Sequence, residues 1–272
     1  MKRWIALAGL LLLTLHSQAQ TDTPTATRAP TAAEPLPWQP VTAATSYLRY
    51  SPIKDSVVHA LRVDLQAPGV QVQLTPQAER GRTLPHMAST AGAVASVNAS
   101  YFNKTFDVRG LTVSNGEAWS GITETQKSPL IACDSQPRCV IQLHEPFELQ
   151  PGWTTVAAGI PWLVDEGRTR TPEDDATCAN HCAKTHPRLA VGLDASGRWL
   201  YIVATEGRRP PVLGLTLAEL SQVMLQLGAR NAVNLDGGGS TTMVIQGEQV
   251  VARPLNEPEL RKVANALVIR ER

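Results

Sequence analysis

The residues best suited to chemistry in this chain are one aspartate and the small residues that follow it. Asp236 ends an apolar segment and precedes three glycines and three hydroxyl side chains, Gly237, Gly238, Gly239, Ser240, Thr241 and Thr242. Consecutive glycine amides can form an anion-binding nest, and the carboxylate beside them could act as a base, a nucleophile or a metal ligand. A tight turn with a locally hydrogen-bonded Asp is the alternative. Because a hairpin needs fewer glycines, we predict a functional loop.

The elements that must hold this loop are mainly strands. Apolar and polar residues alternate over 57–65 and 70–74, and the turn at 67–69 between them suggests a hairpin. Further strands are expected at 93–98, 111–113, 130–132, 140–143, 162–165, 190–193, 199–204, 244–245 and 266–269, and in the segment that ends at Asp236. A short helix is expected over 84–91. A longer helix begins at Thr216, with Glu219 in the capping-box position, and stops at Gly228. The pattern predicts an α+β fold, a single strand-rich domain with mixed sheets and few helices.

The N-terminal residues indicate export. Lys2 and Arg3 precede an apolar run, and the sequence Ser17-Gln18-Ala19 provides small residues for cleavage. We therefore expect a signal peptide at 1–19, a flexible leader rich in Thr, Pro and Ala at 20–37, and one folded domain at 38–272. The apolar run is shorter than the roughly 20 residues of a membrane span. These features predict an exported protein, periplasmic or extracellular, without stable membrane insertion.

Charge and cysteine content narrow the environment further. The formal net charge is +1, so no strong basic surface points to nucleic acid as a partner. Four cysteines in an exported chain predict disulfides, most simply the short-range pairs Cys133–Cys139 and Cys178–Cys182. Cross-pairing between the two pairs stays open. A zinc site of Cys178, Cys182 and His186 is the alternative for the second pair, although its spacing is not a familiar zinc signature.

Several motifs resemble the phosphodiester glycosidase domain family. They are Pro-Arg-Leu-Ala-Val-Gly at 187–192, Val-Ala-Thr-Glu-Gly-Arg at 203–208, the helix at 217–228, Asn-Leu-Asp-Gly-Gly-Gly-Ser-Thr-Thr-Met at 234–243, and weaker matches at 97–103, 158–164 and 262–267. The chain departs from the family pattern at Ala99, Asn103, Leu189 and Glu206, where Gly, an acidic residue, Thr and Asp are common. The resemblance spans about 93–269.

The resemblance implies a hydrolase that cleaves sugar phosphodiesters at the anomeric carbon. Asp236 would supply the catalytic carboxylate, with Glu206 as its partner. Arg109, Arg188 and Arg208 would bind phosphate, since guanidinium groups match its oxygens, together with the amides from Gly237 to Ser240 and the Ser240 and Thr241 hydroxyls. Asn98, Asn234 and Asn265 would orient sugar hydroxyls or the carboxylates. We expect Asp236, Glu206, Arg188 and Asn98 to share one cleft at the strand ends.

Two functions from different classes fit these residues. The first is an exported glycosidase-type hydrolase acting on glycosyl phosphodiesters, or on a related glycosidic bond in envelope or extracellular polysaccharide. The second is a non-catalytic protein with the same fold that binds glycans or assists envelope or exopolysaccharide assembly. A divalent cation beside Asp236 and Glu206 is chemically feasible, but no metal-binding loop supports it. We therefore expect a carbohydrate or sugar-phosphodiester partner and no metal or other cofactor.

Overall fold

Short antiparallel strands make up most of the molecule. The computed structural model describes Met1 and residues 36–120, 128–145, 147 and 149–272. Leu36–Arg272 forms one compact unit, while the unit Met1–Pro35 is described only at Met1. The expected signal peptide and most of the expected leader therefore lie outside the described residues. In the described part, no helix is long and apolar enough to cross a membrane.

The strands, in chain order, are β1 (Gln39–Pro40), β2 (Thr45–Tyr50), β3 (Val58–Asp64), β4 (Val70–Leu74), β5 (Arg82–Thr83), β6 (Ala95–Asn98), β7 (Thr112–Ser114), β8 (Glu117–Ala118), β9 (Leu130–Asp134), β10 (Cys139–Gln142), β11 (Trp153–Ala158), β12 (Trp162–Asp165), β13 (Arg168–Thr169), β14 (Arg188–Leu193), β15 (Trp199–Thr205), β16 (Asn231–Leu235), β17 (Met243–Ile245), β18 (Glu248–Gln249), β19 (Lys262–Val263) and β20 (Ala266–Glu271). The α-helices are α1 (Leu84–Ala91), α2 (Pro172–Asp175), α3 (Ala179–Cys182) and α4 (Leu217–Leu227), and short 3-10 turns lie at Gln77–Glu79, Ala176–Cys178 and Gly238–Ser240.

An eight-stranded sheet, in the order β1-β2-β3-β15-β14-β16-β12-β13, forms the centre of the fold. Two five-stranded sheets accompany it, β18-β17-β6-β20-β4 and β10-β9-β11-β7-β8, and β19 pairs with β5. Strand β14 is buried along its whole length, which explains why its sequence is nearly all apolar. The prediction of a strand-rich α+β domain is confirmed. The strand pairs of the described residues run antiparallel, whereas the prediction allowed mixed sheets.

The two faces of the large sheet contribute to different apolar clusters. On one face, Val191 and Val233 belong to the same buried cluster as Val97 of β6 and Leu267 of β20. On the other face, Ala190 and Ala232 share a cluster with apolar residues of α4. Helix α4 begins with the predicted capping box between Thr216 and Glu219 and ends at Gly228 in the left-handed conformation. The large sheet is therefore covered on both faces.

Local predictions were more accurate than predictions of strand pairing. Helix α1 has the predicted bounds. The hairpin between 57–65 and 70–74 is wrong, because β3 pairs with β2 and β15 whereas β4 pairs with β20. The turn at 67–69 does reverse the chain. However, β3 and β4 belong to different sheets, and Val63 and Val72 pack together in the buried cluster between those sheets. Strands β2 and β11 and helices α2 and α3 were not predicted.

Both predicted short-range disulfides are present. Cys133–Cys139 joins β9 to β10, and Cys178–Cys182 closes the short helical segment before β14. Asp175 places a carboxylate oxygen within 4.8 Å of both sulfurs of the second pair. Because those sulfurs are bonded to each other, the zinc site considered for Cys178 and Cys182 is not formed.

Candidate active site

The candidate site lies at one edge of the large sheet, where β14 begins and β15 and β16 end. Arg188 is in register with Thr205, and Leu189 with Leu235, so Arg188 and Asp236 come to the same edge. A cavity of about 210 Å³ opens there. It is lined by one carboxyl, three arginines, two histidines, a tyrosine and the glycine turn, namely Tyr101, His181, His186, Arg188, Arg208, Asp236, Gly237, Gly238, Gly239 and Arg261.

The Asp236 turn is fixed from behind by backbone and amide hydrogen bonds. The Asp236 amide donates to the Ala99 carbonyl at 3.0 Å, and Asn98 Nδ2 donates to the Asp236 carbonyl at 2.7 Å. Asn98 Oδ1 also accepts from the Thr242 amide at 3.0 Å. Asn98 is buried and does not line the cavity. It therefore holds both ends of the turn that carries Asp236, and of its two predicted roles the structure favours orienting the carboxylate over contacting a sugar hydroxyl.

Asn265 has a similar supporting position. Its side chain accepts from the Ser100 amide at 2.9 Å and donates to the Ser100 hydroxyl at 3.0 Å. Since Asn265 is fully buried, it stabilises the segment after β6, next to the residues that hold Asp236. The structure places it outside the cavity lining.

The glycine turn offers fewer free amides than the sequence suggested. The Gly238 amide donates to the Pro187 carbonyl at 2.8 Å, and the Ser240 amide donates to the Gly237 carbonyl at 3.2 Å. Gly238 has φ +62°, which explains the requirement for glycine there. An anion nest using every amide from Gly237 to Ser240 is therefore wrong. Among the described residues, the amides of Gly237 and Gly239 donate to no backbone carbonyl.

Burial is the dominant influence on the Asp236 carboxyl. It raises the pKa of Asp236 from 3.8 to about 7, although a hydrogen bond from the Ser240 side chain and the charge of Arg261 act in the opposite direction. A carboxyl with a pKa near 7 can accept or donate a proton at neutral pH. Thr241 is buried beside this turn, and its hydroxyl has no hydrogen-bond partner among the described residues.

Arg188 is largely occupied by the protein itself. Its Nε donates to the Leu215 carbonyl at 3.0 Å, and its Nη2 donates to the carbonyls of His181 at 2.6 Å and Lys184 at 2.8 Å. Its Nη1 lies 3.3 Å from His181 Nε2. Burial lowers the pKa of Arg188 to about 10. Arg188 therefore organises the segment closed by the second disulfide, and little of its guanidinium is left for the predicted phosphate fork.

His181 and His186 form a wall of the cavity that sequence reasoning missed. Burial and the nearby Arg188 lower the pKa of both rings, that of His186 to about 4, so His186 is neutral at pH 7. Arg208 Nη2 lies 3.4 Å from His186 Nδ1. We assign Nδ1 as the acceptor, which leaves the proton on Nε2. The only sequence signal was the position of both histidines just before Arg188.

Asn234, which is buried, and the partly buried Tyr101 form a polar pair at the cavity. Asn234 Nδ2 donates to the Tyr101 hydroxyl and to the Ile160 carbonyl, each at 2.6 Å, and the Tyr101 hydroxyl donates to the same carbonyl at 3.1 Å. Burial raises the pKa of Tyr101, which keeps its hydroxyl protonated. Asn234 Oδ1 is buried without a partner among the described residues. This arrangement fixes the Tyr101 side chain at the cavity wall.

Glu206 does not join Asp236 in the cavity. Its carboxylate accepts from His59 Nε2 at 2.9 Å, and His59 Nδ1 lies 2.7 Å from the Tyr47 hydroxyl. Burial alone would raise the pKa of Glu206, but the hydrogen bond and charge of His59 lower it below its usual range. Thr205 is in register with Arg188, so their side chains lie on the same face of the sheet. Because successive side chains of a strand point to opposite faces, the Glu206 side chain lies on the face away from Arg188. The prediction that Glu206 is the partner of Asp236 in the cavity is therefore wrong, since Glu206 pairs with His59 instead.

Of the two remaining predicted arginines, only Arg208 lines the cavity. Arg109 is exposed and does not line the cavity, but its backbone lies next to a lining residue, because its amide donates to the Tyr101 carbonyl at 2.8 Å. Arg261 lines the cavity although no motif predicted it. It precedes β19, and nothing in its local sequence distinguishes it from an ordinary surface arginine.

The cavity thus combines a carboxyl of raised pKa with three arginines on a strand-rich scaffold. The family model described as phosphodiester glycosidase matches residues 91–270. The chain therefore belongs to the phosphodiester glycosidase family. It is 27% identical over 175 residues to a prophage-derived uncharacterized protein, YomE, of Bacillus subtilis, covering 62% of this chain and 27% of that protein.

The chain is also similar to animal proteins that are named as enzymes. The chain is 26% identical over 188 residues to N-acetylglucosamine-1-phosphodiester alpha-N-acetylglucosaminidase of Bos taurus, covering 62% of this chain and 34% of that protein. The human protein of the same name is 26% identical over 192 residues, with 62% and 35% covered. The chain thus spans about a third of the length of these relatives.

Solved structures support the same fold. A hypothetical protein from Synechocystis matches with a TM-score of 0.70 and 17% identity, covering 89% of this chain and 64% of that one. The catalytic domain of the zebrafish N-acetylglucosamine-1-phosphodiester alpha-N-acetylglucosaminidase matches with a TM-score of 0.67 and 19% identity, covering 84% of this chain and 83% of that one. At these identities the likeness establishes the fold alone.

Proposed function

We propose that this protein hydrolyses the bond between the anomeric carbon and the phosphate oxygen of a glycosyl phosphodiester. The observation that carries the proposal is the Asp236 carboxyl, whose pKa of about 7 is set by burial in a cavity also lined by Arg188, Arg208 and Arg261. A sugar transition state of oxocarbenium character is stabilised by a carboxylate. The phosphate oxygens are stabilised by guanidinium groups.

One carboxyl is sufficient for this reaction. Cleavage at the anomeric carbon releases a phosphate monoester whose second pKa is about 6, so the leaving group needs no strong general acid. Asp236 then acts either as the base that activates water or as the nucleophile. Arg208 and the partly occupied Arg188 neutralise the departing phosphate. This division of roles agrees with the position of Glu206 outside the cavity lining.

The identity of the sugar and the place of action are part of the proposal. The named relatives act on N-acetylglucosamine 1-phosphodiesters, but this chain spans only about a third of their length. We therefore propose glycosyl phosphodiesters, or a related glycosidic bond in envelope or extracellular polysaccharide, as the substrate class. Two disulfides suit an oxidising compartment, and together with the predicted signal peptide they favour action in the periplasm or outside the cell.

The test is a panel of methyl diesters of hexose and N-acetylhexosamine 1-phosphates, in both anomeric forms, with reducing-sugar release as the readout. The wild-type protein should release sugar, and Asp236→Asn should lower turnover by at least about 100-fold with the fold intact. Arg230→Gln is a control, because Arg230 pairs with Glu166 outside the cavity lining. A protein that binds these glycans but cleaves none of them would instead be a glycan-binding member of the fold.

A further inference from the structure

A segment after β18 is tied to the rim of the cavity by backbone contacts. The Leu255 amide donates to the Arg208 carbonyl at 3.4 Å, and Arg209 Nη1 donates to the Arg253 carbonyl at 2.8 Å. The Glu206 carboxylate accepts a hydrogen bond from the Ala252 amide. These contacts fix the start of the segment beside the cavity, and its far end brings Arg261 into the cavity lining.

Arg261 is held by a carboxylate four residues earlier in the sequence, that of Glu257. Its Nη2 donates to Glu257 Oε1, and its Nε lies 3.4 Å from Glu257 Oε2. Glu257 is the less exposed partner, with 13% of its side chain accessible against 42% for Arg261. The pair packs against the Cα of Gly239, where a Cβ would overlap both side chains. Gly239 thus leaves the room in which the pair sits next to the Asp236 turn.

The guanidinium of Arg261 is available to a ligand in a way that Arg188 is not. A guanidinium has five N–H donors, and Glu257 engages those on Nε and Nη2. The Nη1 donors have no partner among the described residues. Four acceptors surround Arg188, by contrast, and three of them are backbone carbonyls. Arg261 therefore presents an open charged edge to a cavity that contains the reacting carboxyl.

We propose that Arg261 is a phosphate-binding residue of this site and that Glu257 is the positioning residue that orients it. The inference rests on the proposed function for the identity of the ligand, a glycosyl phosphodiester. The bidentate contact with Glu257 fixes a long, otherwise mobile side chain, so less conformational freedom is lost when phosphate binds. Arg261 also acts on Asp236 directly, because its charge lowers the pKa of that carboxyl.

The inference is tested by binding in an Asp236→Asn background, which prevents turnover. Calorimetric titration with the methyl diester that wild type cleaves best should show roughly 10- to 100-fold weaker binding after Arg261→Gln, the loss of one charge-assisted hydrogen-bonding partner. If wild type cleaves none, the methyl diester of N-acetylglucosamine 1-phosphate is used. The neutral methyl glycoside of the same sugar should bind equally well with and without Arg261. Arg261→Lys should restore part of the affinity, since it keeps the charge but loses the fork.

Glu257→Gln distinguishes a positioning role from an independent one. It should weaken diester binding when Arg261 is present and have no further effect in the Arg261→Gln background. In the Asp236-containing enzyme, Arg261→Gln should also move the acidic limb of the kcat profile to higher pH, because a charge that lowers the pKa of Asp236 is gone. The control is Arg230→Gln, which removes the exposed partner of Glu166.

Each outcome separates this inference from the proposed function. Diester binding after Arg261→Gln that stays within twofold of the Arg230→Gln control overturns the inference, as does an equal loss for the neutral glycoside. Failure of the Asp236→Asn protein to bind the diester also overturns it. Binding that depends on Arg261 in a wild-type protein without hydrolysis supports the inference and refutes the proposed hydrolase activity.

Discussion

Replacing Asp236 by Asn should make the protein more stable at alkaline pH while removing its activity. Burial raises the pKa of Asp236 from 3.8 to about 7, so the folded state holds a proton that the unfolded chain releases between these values. The stability that this proton contributes is fully present below pH 3.8 and is lost as the pH rises to about 7. Asparagine is neutral throughout and carries no such loss.

The size of the effect follows from the pKa difference. A rise from 3.8 to about 7, at 1.36 kcal/mol per pH unit, corresponds to about 4 kcal/mol. This value is an upper bound, because the carboxyl opens onto the cavity and water reduces its desolvation. Urea unfolding should therefore show Asp236→Asn more stable than wild type by about 2–4 kcal/mol at pH 8.5. The two proteins should be nearly equal at pH 4.

Glu206→Gln is the matched control with the opposite sign. The pKa of Glu206 is lowered below 4.5, so its ionised form stabilises the fold above that pH and the contribution is lost on acidification. Its replacement should lower the free energy of unfolding at pH 8.5 and leave kcat close to wild type, because Glu206 does not line the cavity. A stability difference for Asp236→Asn that is the same at pH 4 and pH 8.5 would refute the account of a buried, protonated carboxyl.

Three further outcomes follow from contacts around the cavity. Arg188→Lys should lower the free energy of unfolding by about 2–4 kcal/mol, since buried carbonyls lose charged donors, and chemical denaturation would measure it. Replacing both Cys178 and Cys182 by Ser should lower the free energy of unfolding by about 2 kcal/mol, because the disulfide closes only a short loop. In sugar-release assays, this replacement should lower activity more than replacing both Cys133 and Cys139 by Ser. Gly239→Ala should displace the Arg261 pair and raise KM for diesters while thermal melts remain close to wild type.

The parts of the fold that depend on neighbouring residues were predictable from the sequence. Helix α4 was placed correctly because its capping box, apolar face and glycine stop all lie within one segment. The Asp236 turn was recognised for the same reason, since a carboxylate next to three glycines is a local pattern. The pairing of β3 and β4 was not predictable, because the choice of sheet depends on packing between distant segments.

The site shows the same limit. Asp236 and Arg188 line one cavity as predicted, but Asn98 lies behind the Asp236 turn and Glu206 lies on the other face of the sheet. The side-chain direction reverses with each residue of a strand, so a shift of one position at the end of β15 decides it. Arg261 could not be found from its own sequence context. It reaches the cavity only because the segment before it is fixed by contacts with the chain around Arg208 and Arg209.

The most direct test of the central claim is hydrolysis of the best glycosyl phosphodiester substrate in water enriched in ¹⁸O. If Asp236 directs attack at the anomeric carbon, mass spectrometry should find the label in the released sugar and none in the phosphate monoester, with the sugar analysed before its anomeric oxygen exchanges. Label in the phosphate monoester would mean attack at phosphorus, and would contradict a glycosidase mechanism at this site.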